Sequence, residues 1–411
     1  MERKDVLEGV RVVDFTWIVA GPQGTRILAD FGAEVIKIEN EQTLDSVRLG
    51  APMAGGEKGV NRAALWNYFN RSKKSVTLNV RHPRGLELVK KLISISDVVV
   101  ENFGSRVLES WGLDYEEMCR LRPDVVYLSC SGFGHSGPLR DYSTWGPTSQ
   151  ALSGLTLMSG LPGHPPAGFG YSYMDHTAGY YAAMAILMAL HYRNRTGQGQ
   201  YIDLSQTEAG IACTGPAVLD FSVNGRRYRR PDYPVGNRSL HPAVAPHNTY
   251  RCKGEDRWCV ITIFNEQEWR AFCEAIGSPS WTHDSRFATN SRRVENQDEL
   301  DCHIEEWTRD RTPEEVFIIL QKAGVTAGAV QNARDRVEYD PQLRARDFFP
   351  TVDNPEFGPH KVDGVPTHLS RSPGYVHSHA PLLGQDNEYV FGELLGCSPE
   401  ELDELKAEGV I

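Results

Sequence analysis

Val10-Arg-Val-Val-Asp-Phe15 and Glu34-Val-Ile-Lys-Ile38 flank an amphipathic stretch, Pro22 to Phe31, that stops at Gly32. Two β-branched runs joined through a helical segment, with Pro and Gly at the joints, form the sequence pattern of a βαβ unit. The pattern recurs downstream. Ser75-Val-Thr-Leu-Asn79 reads as a strand, Pro83 to Ile95 as a helix, and Asp97 to Glu101 and Val125 to Cys130 as further strands. This alternation predicts an α/β fold with a Rossmann-like, doubly wound parallel sheet.

Residues 133–176 are rich in Gly, Pro, Ser and Tyr and show little periodicity, and a stretch that long without regular structure is usually functional. It leads to Thr177–Asn194, apolar nearly all round and so a buried helix, then to the turn Thr196-Gly-Gln-Gly199 and the strand Gln200–Leu204. Residues 1–221 are therefore expected to form the first part of a large domain. Residues 222–247, with Arg226, Arg227, Arg229, Arg230 and Arg238 among four prolines, read as a linker. Residues 248–335 carry the pattern of a smaller α+β domain, and 336–411 a linker and a tail that returns to the large domain.

The chain has 411 residues, 40% hydrophobic and 24% charged, which suits a soluble globular protein and excludes disordered, collagen-like and coiled-coil classes. Its net charge of −11 speaks against a nucleic-acid partner, although a local basic pocket could still bind a small polyanion. The eight cysteines include no C-x-x-C pair, as in reduced cytoplasmic proteins. The opening Met1-Glu-Arg-Lys-Asp5 lacks the apolar core of a secretory signal. The most apolar run, Ala182–Leu190, is far shorter than the roughly 18 residues a membrane span requires. A cytoplasmic location without membrane contact is expected.

Gly132-Phe-Gly-His-Ser-Gly137 is a literal G-x-G-x-x-G, but Pro138 and the turn residues Asp141–Pro147 follow where a dinucleotide site needs a helix. A glycine loop at the carboxyl end of a parallel strand still suits another ligand. Asp175, just before the buried helix, reads either as an acid satisfying free backbone N–H groups or as a nucleophile aimed into a glycine-lined cleft. The two roles share one geometry, and spacing alone does not separate them. No G-x-S-x-G elbow, H-x-x-x-H pair or P-loop is present, which leaves serine hydrolysis, metal catalysis and nucleotide hydrolysis without residues. The basic run Arg71-Ser-Lys-Lys74 reads as a solvated turn able to meet phosphate.

Several segments together resemble the family III CoA transferases. They are Leu7–Asp14 with Ala20-Gly-Pro22, Asp30–Glu39, Asn70–Ser75 with Arg81, and Glu101-Asn-Phe103. Ser131–Gly134, Thr196–Asp203 and Ala380–Gly384 complete a set that runs in order along nearly the whole chain. The resemblance implies two interlocked subunits, either a homodimer or a heterodimer with a paralogous chain. It also implies one catalytic aspartate, and the residue at that place is Asp175. Such a carboxylate attacks an acyl-CoA thioester, takes the CoA as an aspartyl thioester, and passes it to an acceptor carboxylate. No permanently bound cofactor and no metal is implied, coenzyme A thioesters being substrates. The loop Gly132, Phe133, Gly134 and His135 would supply N–H donors for oxyanions, and Trp17, Phe133, Tyr171 and Tyr173 would exclude water.

Positions matching the family's CoA contacts are Val19, Ala20, Leu78, Arg81, Asn102 and Phe103, with Lys73, Arg81 and Arg106 near phosphates. Two positions depart from the pattern, Asn40 and Ser110, where basic residues are often found. His135 replaces the glutamate of the formyl-CoA transferases. The α-methylacyl-CoA racemases share this fold but need a histidine where this chain has Trp145-Gly-Pro147. A non-catalytic partner of a heteromeric transferase is the other rival, against which Asp175 and the intact glycine loop stand. The aromatic flank resembles the succinyl-CoA:benzylsuccinate transferases of aromatic hydrocarbon catabolism, implying a succinyl-CoA donor and a dicarboxylic acceptor. His176, Arg48 and His135 are the candidates for holding a second carboxylate.

Overall fold

A computed structural model describes residues 5–160, 164–227 and 236–411. Arg229 and Arg230 of the expected linker, and Met1–Lys4, lie outside the described residues. The described chain forms two compact units, one from residues up to Thr156 with Gly168–Val218 and Gln342–Ile411, the other from Leu157–Ala167 and Leu219–Pro341.

The larger unit is built on a six-stranded, all-parallel sheet. Its strands are β1 (Arg11–Asp14), β2 (Glu34–Glu39), β3 (Lys74–Thr77), β4 (Val98–Glu101), β5 (Val126–Ser131) and β6 (Gln200–Ser205), in the order β3-β2-β1-β4-β5-β6. The order reverses between β1 and β4, which opens a crevice beyond their carboxyl ends.

The inner strands β1 and β4 are covered on both faces and so carry Val runs, Val12-Val13 and Val98–Val100. On one face Val13, Ile36, Val76 and Val99 meet α2 (Pro83–Ser94) through Leu88, Val89 and Leu92. The tail joins this face through Val390, Phe391, and Leu402 and Leu405 of its terminal helix, Pro399–Ala407. Asp386 and Asn387 accept the backbone N–H groups of Ser75 and Thr77 on the outer edge of β3. On the other face Val12, Val35, Val98 and Val126 meet α1 (Ala20–Asp30) and α4 (Tyr173–Thr196), with α3 (Gly146–Leu152) preceding α4 in the chain. A Cβ on Gly179 of α4 would fall 2.5 Å from Gln23 of α1, so glycine there lets the two helices touch.

The expected stretch without structure, 133–176, contains α3 and a short helix at Leu155–Met158. α4 starts at Tyr173, four residues before the sequence reading placed it, because Tyr173 and Met174 bury against Phe169 and Leu155 rather than belonging to the loop. Asp175 is therefore inside the first helical turn. The smaller unit holds an antiparallel sheet of β7 (His247–Arg251), β8 (Trp258–Thr262) and β9 (Thr326–Ala329), covered by helices that contribute Phe272, Leu300, Ile304, Val316 and Leu320. Among the described residues no helix is long and apolar enough to cross a membrane.

Candidate active site

The turn from β1 into α1 is fixed from below. Asp14 is fully buried and accepts from Thr16, from the Thr25 hydroxyl at 2.7 Å and from Lys73 Nζ at 3.0 Å. Burial alone would raise its pKa, but Lys73 and Lys37 with the two threonine hydroxyls bring it to about 2. Above it, the Asn102 side chain accepts from Trp17 N–H at 2.6 Å and donates to Trp17 C=O at 2.9 Å. Ile18 is held in the left-handed region at φ +68°, costly for a β-branched residue, with its N–H on Asp45. This scaffold sets Val19 and Ala20 on the wall of a cavity.

The turn after β4 forms the opposite wall. Glu101 is buried, and its Oε2 accepts Phe103 N–H at 2.7 Å. Its Oε1 points toward the His135 ring, 3.5 Å away, and Ser129 lies beside the carboxyl. Burial pushes the Glu101 carboxyl up to about 8. The Phe103 ring meets Trp17 edge-on, 5.7 Å between centroids.

The floor lies at the ends of β5 and β6. Asp175, 8% exposed, is met there by two neighbours. Gln206, the first residue of α5 (Gln206–Ala212), donates from Nε2 to Asp175 Oδ1 at 2.9 Å and accepts from Ser149 on α3. Gly146, the first residue of α3, lies so close that a Cβ there would sit 2.5 Å from Asp175 Oδ2. Burial raises the Asp175 pKa above the ordinary carboxylate value, and the hydrogen bonds from Gln206 and Ser172 only partly oppose it. A raised pKa makes a carboxylate a better nucleophile once ionised.

The cavity has a volume of about 580 Å³, within the range of small-molecule sites. Of the sequence-nominated residues, Asp175, Gly132, Val19, Ala20, Asn102, Phe103 and Arg106 line it. Others do not. Lys73 is buried and bonded to Asp14, Asn70 and the Pro22 carbonyl, so it is not a phosphate ligand. Its neighbour Arg71 is likewise buried, against Asp30 and Asp363, so the basic run is not a solvated turn. Leu78 is core, and Arg81 is exposed just beyond the edge strand β3, with β2 between that strand and β1.

Gly134, at φ +80°, and the His135 backbone lie against Asp203 of β6, and neither residue is among those lining the cavity. The His135 N–H donates to Asp203 Oδ1 at 2.7 Å, so it is not an oxyanion donor. Phe133 packs edge-on against Tyr142. The three candidates for a second carboxylate also have other engagements. Arg48 is bidentate on Glu39 and lies 3.3 Å over the Trp66 ring. His176 packs among Tyr68, Phe69 and Tyr171, and burial lowers its pKa as it does that of His135.

Gly146, Gln206 and Asp203 were not nominated from sequence. Gln206 alone left a signal, since it follows Ser205 at the carboxyl end of β6, on the same sheet edge as the glycine loop. Among the described residues no group of three His, Cys, Asp or Glu side chains could hold a metal ion.

A parallel sheet with a buried, pinned carboxylate beyond the strand ends forms a cavity of small-molecule size. Residues 7–387 match the family model for CoA-transferase family III, and the chain belongs to that family. The protein is an enzyme of the CoA-transferase type. It is 36% identical over 405 residues to a succinyl-CoA–D-citramalate CoA-transferase of Chloroflexus aurantiacus, covering 98% of both chains. It is 31% identical to a succinate–glutarate CoA-transferase of Agrobacterium fabrum, over 95% of this chain and 96% of that one. Among solved structures, a CaiB/BaiF family protein from Brucella suis superimposes with a TM-score of 0.84 at 32% identity, over 95% of this chain and all of the other.

Proposed function

We propose that this chain moves CoA from succinyl-CoA to a dicarboxylic acid through an aspartyl-CoA thioester on Asp175. The observation that carries the reading is the Asp175 carboxylate at the cavity floor, with one oxygen on Gln206 and the other against Gly146. One carboxylate oxygen adds to the thioester carbonyl and the CoA thiolate leaves, giving a mixed anhydride. The thiolate then adds to the aspartyl carbonyl and expels succinate, leaving the aspartyl thioester. An acceptor carboxylate reverses both steps and regenerates the aspartate. Each step exchanges one activated acyl group for another, so thioester energy is retained.

Gln206 donates to Asp175 Oδ1, the oxygen that becomes the oxyanion when the thiolate adds and Oδ2 is the attacking atom. A preorganised donor at such a position is typically worth 10²–10³ in rate. Val19, Ala20, Asn102, Phe103 and Arg106 would receive the coenzyme, with Arg81 further along the sheet edge. The dicarboxylate class is supported by the citramalate and glutarate named for the relatives. Benzylsuccinate belongs in the same acceptor series. Against the racemase alternative, no histidine is among the described residues lining the cavity, and Gly146 lies against Asp175. A subunit partner is supported by the apolar side of α4, where Tyr180, Met184, Leu187 and Met188 are exposed. An exchange assay with succinyl-CoA and a panel of acids tests the reading. Wild type should show ping-pong kinetics, and Asp175→Asn should lose exchange while still binding CoA. Turnover by Asp175→Asn would remove the assignment.

A further inference from the structure

A dicarboxylate reacts at one end only, so its distal carboxylate stays ionised through every step, and a cation at the cavity wall offsets the desolvation that binding imposes on it. Among the described residues two cationic side chains line that cavity, Arg106 and Arg140. They are not equivalent. Arg106 is bidentate on Asp141, Nε to Oδ1 at 3.1 Å and Nη2 to Oδ2 at 2.8 Å, which neutralises it. Ser105 also donates to Asp141 at 2.8 Å and fixes that carboxylate from the same side. Arg140 is held less tightly, its Nε 3.9 Å from Asp141 Oδ1 in a long ion pair, and its side chain is partly exposed. Asp175 lies on the buried floor of the same cavity. Asp175 and Arg140 line one cavity, so an acid whose reacting end is on Asp175 has Arg140 there as the cation less engaged by carboxylates.

We propose that Arg140 binds the distal carboxylate of dicarboxylic substrates and so sets the preference for dicarboxylates over monocarboxylates. This rests on the dicarboxylate reading above and adds the residue that enforces it. Donor and acceptor acids occupy the site in turn, so one arginine serves both half-reactions. A planar guanidinium with five N–H donors matches a carboxylate in a fork, which a lysine ammonium does not reproduce.

The test compares kcat/KM for glutarate and for pentanoate, which has a methyl group in place of the distal carboxylate, in wild type and Arg140→Gln. In a ping-pong enzyme that ratio reports the acceptor half-reaction alone. Loss of a charge-assisted pair should lower the preference for glutarate about 10- to 100-fold. The preference for succinyl-CoA over butyryl-CoA as donor should fall by a similar factor, and Arg140→Lys should keep part of both. A preference that survives Arg140→Gln overturns the assignment, as does an equal loss on all substrates, which would place Arg140 on the coenzyme. A wild-type enzyme that exchanges CoA without preferring glutarate would remove the dicarboxylate reading itself.

Discussion

Gly146→Ala adds one methyl group to the site and tests the geometry around Asp175 directly. Ordinary contact begins near 3.4 Å, and the new Cβ would start 2.5 Å from Oδ2, so the carboxylate must retreat by about 0.9 Å. The Asp175 side chain can retreat only by turning off Gln206, which holds Oδ1 at 2.9 Å. A misplacement of about 1 Å at a reacting group costs on the order of 10²-fold in rate. Loss of a hydrogen bond to a charged oxygen, about 1.5–3 kcal/mol, describes the same displacement and gives the same scale. The two are one effect and do not add. The kcat/KM for exchange should therefore fall about 100-fold. Gly146 does not have a positive φ, so alanine suits its backbone and the melting temperature should stay within a few degrees of wild type. Steady-state exchange kinetics beside a thermal melt measure both. A folded Gly146→Ala enzyme with wild-type kcat/KM would refute the placement of the reacting carboxylate against this glycine.

Gln206→Leu removes a donor that lowers the Asp175 pKa, so that pKa rises and the acid limb of the kcat/KM–pH profile should move to higher pH. An unmoved limb would mean that Asp175 is not the group titrating. Glu101 holds its proton up to about 8 in the folded chain against 4.5 ordinarily, so the folded state binds more protons across that window and stability falls as pH rises through it. Glu101→Gln should abolish that fall, on the order of a few kcal/mol, in denaturation measured at the two ends of the window. Equal pH dependence in the two proteins would refute the burial argument. Lys73→Met removes the direct ion-pair partner of buried Asp14, leaving it Lys37 and its threonine donors, and should cost about 3–5 kcal/mol in urea unfolding. Full stability with a raised KM for CoA would instead return Lys73 to a phosphate role.

The sheet was legible in the sequence because a parallel strand covered on both faces leaves an apolar run, as in Val98–Val100 and Val126–Leu128. The helix bearing Asp175 was legible too, but its start was not, since Tyr173 and Met174 look like loop aromatics until Phe169 and Leu155 are seen against them. Lys73 misled for a related reason. A basic run before a strand reads as a solvated turn unless Asp14, 59 residues away, is known to lie beneath it. The His135 N–H looked available until Asp203 came to it from β6. Gly146 lies in a turn-rich segment where glycine is unremarkable, and only its distance from Asp175 gives it meaning. Residues whose role is a relation between distant segments left no local trace, whereas those with a local pattern did.

The most direct test of the covalent mechanism is intact mass after incubation with succinyl-CoA, followed by peptide mapping. The predicted result is a CoA-sized thioester adduct on the peptide containing Asp175, lost on adding glutarate and absent in Asp175→Asn. An adduct on another residue, or exchange proceeding without any adduct, would contradict it.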